Sequence, residues 1–245
     1  MELKKFSAQS HQGPFLDINE DGYDFDFEND LYMIFDGFGG NGIGDLAVDN
    51  LKGNIKSFFN NFVKDRNSTL PFFFSQKYLI EGNALINAAL LSHEKLYKSN
   101  VSGDPSKQAG ATGIIAVKSE SILSILSVGN CRCYLSKKGV IYSIFADDSF
   151  RFLNSDLYES HNRQIPLSAF GLFSDLTYQL REIRVAEGDK VLFVTDGVYS
   201  RLNDQEILSG ISTQTIDINS KIKDLFELAN QRGNLDNQTC MILEF

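Results

Sequence analysis

The sequence predicts an α+β fold, and three observations carry that prediction. An apolar run closing on Asp-Gly occurs twice, as Leu31-Tyr-Met-Ile-Phe-Asp36-Gly37 and as Val191-Leu-Phe-Val-Thr-Asp196-Gly197. Two long stretches repeat apolar residues at helical spacing, and four short β-rich runs follow one another between turn residues. Helices that come in pairs and strands that come in succession indicate α+β organisation, not alternating βαβ units.

Each element follows from a local pattern. The first residues form a strand-like segment, and residues 23–28 alternate aromatic with acidic side chains before Asn29-Asp30 leads into the first apolar phrase, which predicts a hairpin. A short β-rich apolar run bounded by glycine reads as a buried strand, so each phrase is expected to bring one carboxylate to a strand's end. From residue 41 to 64, Ile43, Leu46, Ala47, Leu51, Ile55, Phe58, Phe59 and Phe62 recur at helical spacing and predict a long amphipathic helix. A second helix is expected over 76–98, with 65–71 as a polar connection and Phe72-Phe73-Phe74 as core or helix-packing surface. Residues 112–117, 121–128, 131–135 and 140–145 are the four β-rich runs, and together they predict one antiparallel meander. Residues 146–178 show no clear period, which marks a functional or mobile loop. The rest predicts a strand to Asp196, a short helix over 204–208, a helix over 218–231 and a last strand over 239–244.

The chain has 245 residues, 42% of them hydrophobic, enough for one large domain over 1–245. Its 23 basic and 32 acidic residues are spread without blocks, which argues against nucleic acid as a partner. The N-terminus lacks the apolar core of a signal peptide, and no run approaches the ~18 apolar residues of a membrane span. The expected state is a cytoplasmic monomer without membrane insertion. Cys131, Cys133 and Cys240 are too few and badly spaced for a disulfide framework or a Cys-x-x-Cys zinc site, and read as reduced core residues. His93, on a predicted helix, reads as surface or core and not as a ligand.

Acidic residues flank the predicted strands at four places: Glu20-Asp21, Asp36, Asp196 and Asp236. Each alone is an ordinary turn sequence. Carboxylates brought close together repel, so one must protonate or a cation must neutralise them. Oxygen donors of this kind select hard ions such as Mg²⁺ or Mn²⁺.

Asn19-Glu20-Asp21, Asp36-Gly37-Phe38-Gly39-Gly40, Gly110-Ala111-Thr112, Gly129-Asn130-Cys131-Arg132, Thr195-Asp196-Gly197 and Asp236-Asn237 stand in the order and at the spacing of known motifs. The set resembles the metal-dependent serine/threonine protein phosphatases of the 2C type, and the resemblance spans nearly the whole chain. Asp147-Asp148-Ser149 and Ala169-Phe170-Gly171 also sit where that family has an Asp-His-Ser and a Leu-Gly. The resemblance implies an antiparallel β-sandwich flanked by helix pairs, in four αββα layers, with 146–178 as a flap. It further implies two Mn²⁺ or Mg²⁺ ions in a cleft, with Asp36 bridging both, Asp196 and Asp236 on the first, and Glu20 with the Gly37 carbonyl on the second. The implied activity is hydrolysis of phosphoserine and phosphothreonine in proteins, by a hydroxide bridging two ions ~3.5–4 Å apart and without a protein nucleophile. Asp36 and Asp21 carry the catalytic roles, Asp21 by orienting or deprotonating metal-bound water.

The sequence departs from the family pattern in three places. Where the family sets a phosphate-binding arginine, this chain has Leu16, which cannot supply a bidentate guanidinium contact. Substitute phosphate contacts are sought among Lys4, Lys5, His11, Arg151, His161 and Arg163. The histidine that many members place after the motif Asp-Gly is Phe38 here. Asn130 replaces an aspartate of a third metal site, so a third ion held through Asn130 and Asp148 is expected to bind weakly or not at all.

Two other readings compete. A pseudophosphatase would bind a phosphoprotein without turnover; Leu16 and Asn130 favour it, and the complete acidic set opposes it. Gly37-Phe-Gly39-Gly-Asn-Gly42 matches the dinucleotide fingerprint of an oxidoreductase. Against that, Asp36 would repel the pyrophosphate, a second helix follows the first, and no ribose-binding acid follows a second strand.

Overall fold

A computed structural model describes residues 1–40, 42–64, 70–151, 164–212 and 217–245. Among these residues twelve strands occur in chain order: β1 (Lys5–His11), β2 (Asp21–Asp26), β3 (Leu31–Gly39), β4 (Ala109–Ser119), β5 (Ile122–Val128), β6 (Arg132–Lys137), β7 (Val140–Ser143), β8 (Ser149–Arg151), β9 (Gln164–Pro166), β10 (Gln179–Arg184), β11 (Lys190–Val194) and β12 (Gln238–Glu244). Five α-helices accompany them: α1 (Gly44–Lys64), α2 (Ile80–Ser102), α3 (Asp196–Tyr199), α4 (Asp204–Ser212) and α5 (Ile218–Gln231). One five-stranded sheet runs β1-β12-β11-β6-β7, a second runs β10-β5-β4-β3-β2, and β8 pairs with β9 alone. Every pairing is antiparallel.

The apolar phrases are unbroken because their strands are covered on both faces. On β3, Leu31, Met33 and Phe35 pack with Leu51, Ile55, Leu85 and Ala89 of α1 and α2, while Tyr32 and Ile34 meet Val191, Phe193, Met241 and Leu243 of the other sheet. On β11 the alternate residues Leu192 and Val194 face Ile207, Ile222 and Leu225 of α4 and α5. Two sheets face to face with helices outside both give the four αββα layers that the sequence resemblance implies. A strand with two buried faces loses the apolar-polar alternation of a half-exposed one. No helix among the described residues is long and apolar enough to cross a membrane.

Several expectations change in detail. The four β-rich runs are not one meander: β4-β5 and β6-β7 are hairpins in different sheets, and β10 takes the place beside β5. The crossing occurs at Gly129, whose φ of +78° suits glycine and where a methyl group would lie 2.5 Å from Thr112 Cγ2. The second helix starts at Ile80 and runs on to Ser102, because Asn83 Nδ2 donates to the carbonyls of Ser75, Tyr78 and Leu79 and holds the preceding residues as a loop. Of the three phenylalanines before it, Phe72 and Phe74 are exposed and Phe73 alone packs on the core. The cysteines are buried and free, and His93 is buried with Nδ1 accepting from the Gly171 amide.

Candidate metal centre

Glu20, Asp21, Asp36, Asp196 and Asp236 come from four separate parts of the chain and are stitched together by hydrogen bonds. Asp21 opens β2 and stands opposite Asp36 in the β2-β3 register. The Gly37 amide donates to the Glu20 carbonyl at 3.2 Å. From the other sheet, Thr195 Oγ1 donates to Asp21 Oδ2 at 2.8 Å and accepts from the Thr239 amide at 2.9 Å. The Asp36 and Asp196 carboxyl groups lie close enough to interact side chain to side chain, so a proton on one could be shared with the other. Asn237 closes the circle, its Oδ1 accepting from the Glu20 amide at 2.9 Å.

Asp36 therefore sits inside β3, three residues before its end, and Asp196 begins a short helix just past β11; neither is the last residue of a strand. Gly37 is required by close approach: a methyl group there would lie 2.4 Å from the Glu20 carbonyl oxygen and 2.7 Å from that of Gly44. Gly197 is tighter still, at 1.8 Å from the Asn237 carbonyl oxygen. Glycine is thus placed where backbones must nearly touch for the carboxylates to converge.

The electrostatics ask for a positive charge. Burial pushes the Asp36 carboxyl well above the usual range, and the charges of Asp196, Asp21 and Asp236 push it further. Asp21 is raised too, by burial first and then by Asp196 and Asp236, against the opposing hydrogen bond from Thr195. Asp196 is pushed up to about 7 by burial and by Asp236. Among the described residues no lysine or arginine forms an ion pair with any of the five. Oxygen donors that raise the carboxyls of Asp21, Asp36 and Asp196 are chemically suited to a hard divalent cation, which would remove the repulsion. The described side chains do not already form a coordination cage of three or more. Glu20 Oε1 instead accepts from the Gly44 amide at the N-terminus of α1, and Asp236 Oδ1 accepts from the Asn237 amide.

Asn130 Nδ2 donates to Asp196 Oδ2 at 3.1 Å, while its Oδ1 is buried without a partner. Where an aspartate would add one more negative charge, the amide supplies a donor. Asp148 lines the same narrow cavity as Asn130, and burial raises its carboxyl against a hydrogen bond from the Gly129 amide. Behind them Tyr199 donates from its hydroxyl to the Asn130 carbonyl at 2.7 Å, and the Arg132 guanidinium lies 3.9 Å from the Tyr199 ring centre.

The candidate phosphate contacts scatter. His11 ends β1 opposite Gln238, exposed, with Nδ1 accepting from the Gly13 amide. Lys4 and Lys5 are at the wrong end of that strand: Lys5 pairs with Glu244, Lys4 bonds Glu187, and six residue-to-residue steps along the strand separate Lys5 from His11, about 20 Å. Neither can reach the carboxylates. Arg151 ends β8, its side chain lying outside the described residues, as do His161 and Arg163 entirely. Sequence reasoning missed Thr195, Asn237, Tyr199 and Arg132 as supports of the site. Thr195 and Asn237 adjoin motif aspartates, which is a usable signal, whereas nothing local marks Tyr199.

No protein-family model matches the chain. It is 24% identical over 235 residues to "Probable protein phosphatase 2C 55" of Oryza sativa subsp. japonica and 25% identical over 171 residues to "Serine/threonine protein phosphatase PstP" of Mycobacterium tuberculosis. It covers 57% of the first protein's length and 32% of the second's. Among solved structures, the Mycobacterium tuberculosis serine/threonine phosphatase PstP/Ppp aligns with a TM-score of 0.77 at 21% identity, over 98% of each chain. The catalytic domain of PstP in complex with two manganese ions aligns with a TM-score of 0.74 at 21% identity, over 98% of this chain and 97% of that one.

Proposed function

We propose that this chain, which has the fold of the PPM-type serine/threonine phosphatases and resembles protein phosphatase 2C in sequence, hydrolyses phosphoserine and phosphothreonine esters in proteins with two Mn²⁺ or Mg²⁺ ions. The observation that carries the reading is that the carboxylates of Asp21, Asp36, Asp196 and Asp236 lie within one another's electrostatic reach, next to Glu20, with no cationic partner among the described residues. Asp36, Asp196 and Asp236 would hold one ion, and Asp36, Glu20 and the Gly37 carbonyl the other. Bound there, the ions would supply hydroxide near neutrality and neutralise the oxygens of a phosphoryl group under in-line attack.

The chain's own groups do the rest. Asp21, fixed by the Thr195 hydroxyl and facing Asp36 across the register, would accept the proton released during attack. Asn130 keeps Asp196 turned toward its neighbours, and Asn237 holds the Glu20 backbone against the segment that leads into β12. Phosphate orientation would fall to the ions, because Leu16 offers no guanidinium.

Hydrolysis of p-nitrophenyl phosphate, with Mn²⁺ and with EDTA, by the wild type and by Asp36→Asn, tests this. Wild type with Mn²⁺ should exceed the other three conditions at least about 100-fold, since several kcal/mol of charge stabilisation is at stake. Equal background rates in all four would leave a phosphoprotein-binding module without turnover.

A further inference from the structure

Beside the carboxylates lies a surface of opposite character. The loop 12–20 between β1 and β2 contains no lysine or arginine, and its charged side chains are the acids Asp17 and Glu20. It leaves Phe15 69%, Leu16 39% and Ile18 47% exposed. The loop is fastened to the site at both ends, for Asn237 Nδ2 donates to the carbonyls of Gln12 at 2.8 Å and Ile18 at 3.0 Å. Gly13, at φ +79°, presses on the backbone of Asp236, where a methyl group would lie 2.2 Å from its carbonyl oxygen. Leu235, 43% exposed, immediately precedes Asp236. Four large apolar side chains thus stand in water on the two segments that carry Glu20 and Asp236. Exposed apolar surface concentrated on a tethered loop marks a contact surface.

We propose that this loop, with Leu235, docks the polypeptide that brings the phosphoryl group, and that the protein selects substrates with bulky apolar residues beside the phosphorylated serine or threonine. The inference rests on the phosphatase reading above. The occupant follows from position and charge: a phosphoester that reaches Asp36 carries its neighbouring residues past segments bonded to Glu20 and Asp236. Those segments offer apolar contact and no cation. An acidic peptide or an anionic lipid surface would meet Asp17 and a chain of net charge −9. Uncharged, apolar flanks are what this surface can desolvate favourably.

Two phosphothreonine peptides, identical except for Leu or Ser on both sides of the phosphothreonine, decide the matter when assayed with Mn²⁺ against the wild type and the double variant Phe15→Ser/Leu16→Ser. Wild type should favour the Leu peptide at least about tenfold in kcat/KM, mainly through KM, and the ratio should approach one in the variant, whose fold circular dichroism checks. Equal kcat/KM for the two peptides in the wild type, or a ratio unchanged in the variant, overturns the inference and leaves the phosphatase reading standing. Failure of the wild type to hydrolyse either peptide and p-nitrophenyl phosphate overturns the reading beneath it. Sedimentation adds one more decisive outcome: a wild-type dimer dissolved by the variant would assign the loop to a second copy of the chain and overturn the proposal.

Discussion

Asp196 is a carboxylate under opposed forces. Burial and the charge of Asp236 raise it to about 7, while hydrogen bonds from Asn130 and the Gly197 amide favour its ionised form. A carboxyl raised in the folded state contributes stability that is whole below its unfolded value, near 4, and is lost as pH climbs toward the folded value, near 7. In EDTA, the urea midpoint of the wild type should therefore fall between pH 5 and pH 7.5, and Asp196→Asn should lessen the fall. A wild-type midpoint flat over that range would show that the acidic cluster is already neutralised within the protein. Gly197→Ala tests the close approach itself. A methyl group 1.8 Å from the Asn237 carbonyl oxygen should cost at least about 1–3 kcal/mol in the same unfolding measurement. Both aspartates of the doubled phrase were legible as candidate site residues because a buried strand seldom runs into an unpartnered charge. Leu16 was legible as a departure, but its exposure and the tether through Asn237 were not.

At the level of elements, α1 and β3 form the wall that positions half of the site. Val48 of α1 packs where Gly22 and Gly37 have no side chain, and Leu51 and Ile55 are fully buried behind it. Ile55→Ala should cost about 2–5 kcal/mol in denaturant midpoint and slope analysis, because the cavity it leaves between helix and sheet cannot collapse. A loss under 1 kcal/mol would mean that the helix rests loosely on the sheet. Helix periodicity made α1 and α5 readable, since each has one polar face. The start of α2 was displaced by four residues because buried Asn83 and Asn87 bond the chain at 72–79, an interaction between a helix side chain and the loop before it that no periodicity records. The division of β5 and β6 between two sheets was hidden for a similar reason: short β-rich runs joined by a glycine turn look alike whether the turn closes a hairpin or crosses a sandwich.

Across the molecule, the carboxylates belong to both sheets: Asp21 and Asp36 lie in the one that carries α1 and α2, and Asp196 and Asp236 adjoin strands of the other. Ions bound between them would clamp the sandwich at one end and stabilise it by linkage. Mn²⁺ at 100 times its dissociation constant should add about 2.7 kcal/mol, or roughly 5–10 °C in Tm for a chain of this size, reversibly with EDTA and not in Asp36→Asn. A Tm indifferent to Mn²⁺ would remove the basis of the proposed chemistry.

The order and identity of the acidic residues, the burial of the strands that carry them and the class of cation they suit were all readable along the chain, because each is a property of a residue and its near neighbours. Which carboxylate faces which was not. The pairing of Asp21 with Asp36, the hydrogen bond across to Thr195, the exclusion of Lys4 and Lys5, and the apolar loop bound to Asn237 arise from sheet register and sheet packing, where residues two hundred positions apart meet. Such contacts depend on how all the apolar faces are satisfied at once, and no local pattern contains that sum.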